Sequence, residues 1–162
     1  YYYYDCVLLS QMAEAIGREG DAATYAELAE KIREAFNRKY FDEEKATYPG
    51  GTQTSYLLPL HFGLVPRYKV DAVVDNLVKD ILDRQVHLST GFLGTGYINP
   101  VLTASGHHDL AWLLATQSTY PSWGYMSKRG ATTIWELWNS DTAGPGMNSR
   151  NHFCLGAVGA GL

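Results

Sequence analysis

The chain has 162 residues, of which 46% are hydrophobic and 19% charged, the composition of a folded domain rather than of a disordered segment. Thirteen Lys and Arg stand against seventeen Asp and Glu for a net charge of -4, and with no basic run the chain has neither a nucleic acid nor an anionic membrane as an expected partner. No window of about eighteen apolar residues exists, so no transmembrane helix is expected.

No charged stretch precedes an apolar one at the start, so no signal peptide is visible, and there is no Asn-x-Ser/Thr sequon. The compartment is left between cytoplasm and exterior, leaning to the cytoplasm. Cys6 and Cys154 are the only cysteines and sit at opposite ends. In their apolar helical surroundings they read as two buried free thiols. The chain opens on Tyr1 without Met and stops at Leu162 in mid-pattern, which suggests part of a longer protein.

Taken in chain order, residues 4–16 place Leu8, Met12, Ala15 and Ile16 on one helical face before Gly17 and Gly20 break it. Tyr1 to Tyr4 form an aromatic patch expected to pack on a neighbour. Asp21 is placed to cap a second helix. Its Tyr25, Leu28, Ala29, Ile32, Ala35 and Phe36 form a stripe, and Glu27, Glu30, Lys31 and Glu34 face water. Residues 41–51 read as a polar loop, and 53–63 as a third helix that Pro59 kinks or delays. Val70, Val73, Val74, Leu77, Val78, Ile81 and Leu82 make the clearest helical stripe in the chain.

Residues 89–96, with Gly91, Gly94 and Gly96, read as a loop. Short helices are expected over 98–105 and 107–117, then a turn at 120–124. Residues 132–138 are followed by a loop over 139–147 and a last helix over 151–162. No alternating run is long enough to build a sheet. The class is therefore all-α, and paired helices suggest a solenoid or a closed ring of hairpins.

The polar loops 48–54, 90–97, 120–125, 132–139 and 147–152 fall on one side of these hairpins, where sites are commonly built. Within them Trp135-Glu136-Leu137-Trp138 puts one carboxylate between two indoles. Apolar walls suit a carboxyl to proton transfer near neutral pH, and indoles can floor a sugar site. A core role for both tryptophans fits the spacing as well. His107-His108-Asp109 has the composition of a metal cluster, but adjacent helical side chains diverge, so Asp109 reads as a helix-start residue and no metal site is expected. His61 and His87 read as core or surface residues. The Gly-x-x-Gly-x-Gly of residues 91–96 lacks a preceding strand and a following Lys, so it is no phosphate loop.

Several motifs together carry a resemblance. They are Gly51-Thr52-Gln53-Thr54, His61-Phe62-Gly63-Leu64-Val65-Pro66, Thr90-Gly91-Phe92-Leu93-Gly94-Thr95 and Gly106-His107-His108-Asp109-Leu110-Ala111. Tyr120-Pro121-Ser122-Trp123-Gly124-Tyr125-Met126, Gly130-Ala131-Thr132-Thr133-Ile134-Trp135-Glu136, Met147-Asn148-Ser149 and Asn151-His152 complete the series. In this order the chain resembles the bacterial α-L-rhamnosidases of glycoside hydrolase family 78. The resemblance implies part of an (α/α)6 barrel of six helical hairpins, with residues 1–162 as its C-terminal part and about seven or eight helices. It implies an inverting glycosidase in which Glu136 is the general base. His152 is implied as a sugar contact, and Trp135, Trp138, Trp123 and Tyr97 are carried as candidate sugar contacts.

The family's general acid lies in an early Asp and Arg-rich motif that has no counterpart here. Its flanking β-domains are also missing, and the segment between Asp141 and Gly146 is short. The segment alone is therefore expected to be inactive and to need the remainder of the same catalytic domain. No metal or organic cofactor is implied, since side chains perform both proton transfers. The implied partner is a rhamnosylated small molecule or polysaccharide. A six-hairpin glycosidase of another sugar specificity and a non-catalytic helical interaction module remain as alternatives.

Overall fold

The computed structural model describes residues 1–146 and 149–161. Among them are seven α-helices: α1 (Tyr2–Ala15), α2 (Glu19–Tyr40), α3 (Gln53–His61), α4 (Val70–Asp83), α5 (Phe92–Ala104), α6 (His108–Thr116) and α7 (Trp123–Lys128). No strand is present among the described residues, only an isolated bridge between Asp42 and Thr47. α1 and α2 form an antiparallel hairpin across the tight turn at Gly17, whose φ of 73° favours glycine. α3 packs on α4 and α5, α5 on α6, and α6 on α7.

The helix ends follow local chemistry. α2 begins at Glu19, so Asp21 lies inside its first turn and pairs with Arg18 instead of capping it. α3 starts with a capping box, in which the Thr52 side chain accepts from the Ser55 N–H and the Ser55 hydroxyl accepts from the Thr52 N–H. Pro59 sits buried within α3, which continues through it to His61. Asp109 lies in the first turn of α6, where a carboxylate favours the helix dipole.

The core runs between α3, α4, α5 and α6. Leu57, Leu77, Ile81, Ile98, Leu102 and Leu114 are fully enclosed, each contributing about 1.5–3 kcal/mol of burial. The α4 stripe is confirmed except at Leu82, which is exposed. Tyr1 and Tyr4 pack on Phe62, while Tyr2 remains exposed. Both cysteines are free; Cys6 is buried, but Cys154 only half-buried, short of the expectation.

Three readings of the later chain require correction. The glycine-rich stretch expected as a loop supplies the first turns of α5. Gly94 is there because α3 crosses at that point: a Cβ on it would lie 2.3 Å from Thr54 Oγ1 and 3.1 Å from Thr90 Cγ2. The turn expected at 120–124 runs into α7, capped by the Ser122 hydroxyl accepting from the Tyr125 N–H. The expected last helix is replaced by two 3-10 turns, Phe153–Leu155 and Ala157–Gly159. This tail is strapped to α5, where Asn99 Nδ2 donates to the Val158 carbonyl at 2.8 Å and the Thr103 hydroxyl to that of Gly161 at 2.5 Å. Gly161 has a φ of 78° and comes so close that a Cβ would lie 2.7 Å from Pro100 Cα.

Gly94→Ala sets two effects against each other. Alanine favours a helix interior by roughly 0.5–1 kcal/mol, whereas forcing a methyl into a packed crossing costs about 1–3 kcal/mol. Packing is expected to win, lowering Tm by a few degrees in a thermal melt; an unchanged or higher Tm would show that the crossing has slack.

Candidate active site

The 131–138 motif is not helical, with bends at 132–133 and 136–137 and a turn from 138, so its backbone groups need partners from elsewhere in the chain. Residues 149–152 provide it. The Glu136 N–H donates to the Ser149 carbonyl at 3.0 Å, and the His152 N–H to the Ile134 carbonyl at 2.7 Å. The Thr133 hydroxyl adds a bond to the Arg150 carbonyl. The two segments that carry Glu136 and His152 are thus clasped together by bonds between residues 13 to 18 apart in sequence.

The carboxylate joins this clasp. Glu136 Oε2 accepts from the Ser149 N–H at 2.8 Å in half-buried surroundings. A charge-assisted bond of this kind fixes the carboxylate more firmly than a neutral one would. Of the Met147-Asn148-Ser149 motif, Met147 and Asn148 lie outside the described residues.

The tryptophans divide by exposure. Trp135 enters the core with Met126 and Leu155 at 6% exposure, while the adjacent Glu136 stays half-buried. Trp123 is 7% exposed, donates its indole N–H to the Leu155 carbonyl and meets Trp138 edge to face at 5.6 Å. Both rings are largely covered in this structure and brace the wall of the site. Trp138 is half-buried, with its Nε1–H donating to the Thr90 carbonyl at 2.8 Å.

Tyr97 belongs to a different cluster. Its ring lies 4.2 Å from that of His61 and 5.6 Å from that of Phe62. A bond to the Tyr1 hydroxyl and then desolvation push its own hydroxyl above the usual tyrosine range. These neighbours give no support to its expected sugar contact. An aromatic cleft of about 390 Å³, lined by Tyr1, Phe36, Tyr40, Tyr48 and Phe62 among others, contains none of the predicted site residues. His87 bonds Thr119 and the Arg84 carbonyl. No group of three or more His, Cys, Asp or Glu among the described residues could hold a metal ion.

Sequence reasoning missed the backbone partner, Ser149, as well as Thr133 and the buried Gln53 and Thr90. All four stand in motifs noted above, but composition and spacing gave none of them a chemical task.

Comparison with known proteins then fixes the family. The model of the bacterial alpha-L-rhamnosidase 6 hairpin glycosidase domain matches residues 1–161. An alpha-L-rhamnosidase of Streptomyces avermitilis is 43% identical over 98% of this chain, which spans 16% of that protein. One from Formosa agariphila is 38% identical over 98% of this chain and 18% of its own length. The crystal structure of the Streptomyces avermitilis enzyme complexed with L-rhamnose superposes with a TM-score of 0.91 at 42% identity, covering 97% of this chain and 16% of that one. That of Dictyoglumus thermophilum alpha-L-rhamnosidase gives 0.89 at 44% identity, covering 96% and 18%. The chain thus spans less than a fifth of the relatives it matches, and its all-helical fold is that of their six-hairpin domain. Its motifs, its helical order and these likenesses agree: the chain belongs to the bacterial α-L-rhamnosidase six-hairpin glycosidase family.

Proposed function

We propose that this chain is the C-terminal part of an (α/α)6 catalytic domain and supplies the water-activating side of an inverting α-L-rhamnosidase. The observation that carries the reading is the Glu136 carboxylate, held by the Ser149 N–H where two motif segments pair. The likeness to a rhamnosidase crystallised with L-rhamnose supports the substrate class.

In the proposed reaction Glu136 takes a proton from water as the water oxygen bonds to the anomeric carbon. The glycosidic C–O bond breaks on the opposite face, and an acid elsewhere in the longer protein gives its proton to the leaving oxygen. Inverting enzymes hold the two carboxyl groups about 6.5–9.5 Å apart to admit this water. His152, on the segment paired with that of Glu136, contacts the sugar, and of Trp123, Trp135 and Trp138 only Trp138 keeps appreciable surface to do so. Both proton transfers use side chains, so the proposal calls for no metal or organic cofactor. The remainder of the catalytic domain is the partner, and the isolated segment is inactive.

In the full-length protein, Glu136→Gln keeps an oxygen to accept from the Ser149 N–H but loses the basicity. Turnover of p-nitrophenyl α-L-rhamnoside should fall by about 10²–10⁴ with little change in Tm; near-normal turnover would sink the assignment. His152→Ala should chiefly raise KM in the same assay, and an unchanged KM would remove His152 from the sugar site.

A further inference from the structure

Among the buried polar residues that the proposed mechanism does not use, Gln53 has the most specific bonding. Gln53, the first residue of α3, is 0% exposed. Its carboxamide is spent at both ends on a single segment: Nε2 donates to the His87 carbonyl at 3.0 Å, and Oε1 accepts from the Ser89 N–H at 2.7 Å. Two bonds onto residues two apart splint that segment. An apolar side chain of similar size would fill the space but leave a buried carbonyl and a buried N–H without partners.

The splinted segment leads directly into Thr90, which is 2% exposed and shares a hydroxyl bond with Thr95 at 2.9 Å. The Thr90 carbonyl accepts from the indole N–H of Trp138. Gly94 lets Thr54, the neighbour of Gln53, close onto this same point. Trp138 lies two residues beyond Glu136 and rests edge to face on Trp123. A continuous path therefore runs from Gln53 through residues 87–90 to the indole of Trp138, two residues along the chain from Glu136.

We infer that Gln53 is a positioning residue for the Glu136 site, acting through the Thr90 carbonyl on the indole of Trp138. It touches no substrate, and its task is to fix where that indole stands. The inference rests on the reading of Glu136 as the water-activating base.

A double-mutant cycle in the full-length protein tests it, with kcat and KM measured on p-nitrophenyl α-L-rhamnoside for Gln53→Leu, Trp138→Phe and the pair. Each single change should lower kcat by about tenfold with KM little altered, and the pair should fall no further than the worse single change. Gln53→Glu, which keeps the acceptor for Ser89, should recover part of the loss. Independent, multiplying losses overturn the inference, as they would for residues that merely support the fold. Should Gln53→Leu not fold, Gln53→Glu completes the cycle with Trp138→Phe. As a readout apart from activity, the Trp138 resonance of 5-fluorotryptophan-labelled protein, assigned by its loss in Trp138→Phe, should shift in the Gln53 variant. An unmoved resonance overturns the inference. Glu136→Gln in the same assay separates the two failures: if it stays active the base reading falls and takes the inference with it, whereas an inactive Glu136→Gln with multiplying losses removes Gln53 alone.

Discussion

A non-helical segment inside an all-helical protein cannot satisfy its own backbone, and the candidate site depends on how residues 133–137 solve that problem. Residues 149–152 accept and donate the bonds that a sheet neighbour would otherwise provide. The Glu136 carboxylate takes the next donor along, the Ser149 N–H. The same pairing that makes the segment foldable therefore aims its charge. Next to it Trp135 enters the core, so that adjacent residues divide between a structural indole and the candidate carboxylate.

The clasp is in turn held by the helices. Trp123 at the start of α7 ties down the Leu155 carbonyl just beyond the 149–152 segment, and Trp138 ties the other segment to Thr90 at the head of α5. α5 itself is pressed against α3 where Gly94 removes the obstacle to Thr54. Bonds from Asn99 and Thr103 to the tail close the arrangement along the far part of α5. This helix is thus the common support of both segments.

The helical class and the α4 stripe were legible because period and burial coincide there; in α1 they do not, since Met12, Ala15 and Ile16 of the expected face are exposed and Cys6 and Ala13 are buried instead. Residues 92–96 were misread because glycine signals both flexible loops and close crossings, and only the position of Thr54 distinguishes them. The tail was misread for the opposite reason: its composition allows a helix, but α5 competes for its carbonyls through Asn99 and Thr103. At the site, Glu136 and His152 were named from their motifs. Trp123 and Trp135 could not be assigned to wall or pocket from spacing, since an indole beside a carboxylate looks the same in both places until its burial is known. The partnership of Gln53 with His87 and Ser89 spans 34 and 36 residues and leaves no periodic trace.

The central claim is that Glu136 activates the attacking water. A small anionic nucleophile needs no base, so azide offered to a Glu136→Ala variant of the full-length protein isolates that role. The account predicts that azide restores release of p-nitrophenol from the α-linked substrate and that NMR identifies the product as the β-L-rhamnosyl azide, formed by attack on the face that water would use. No rescue, or an azide of retained α configuration, would contradict it.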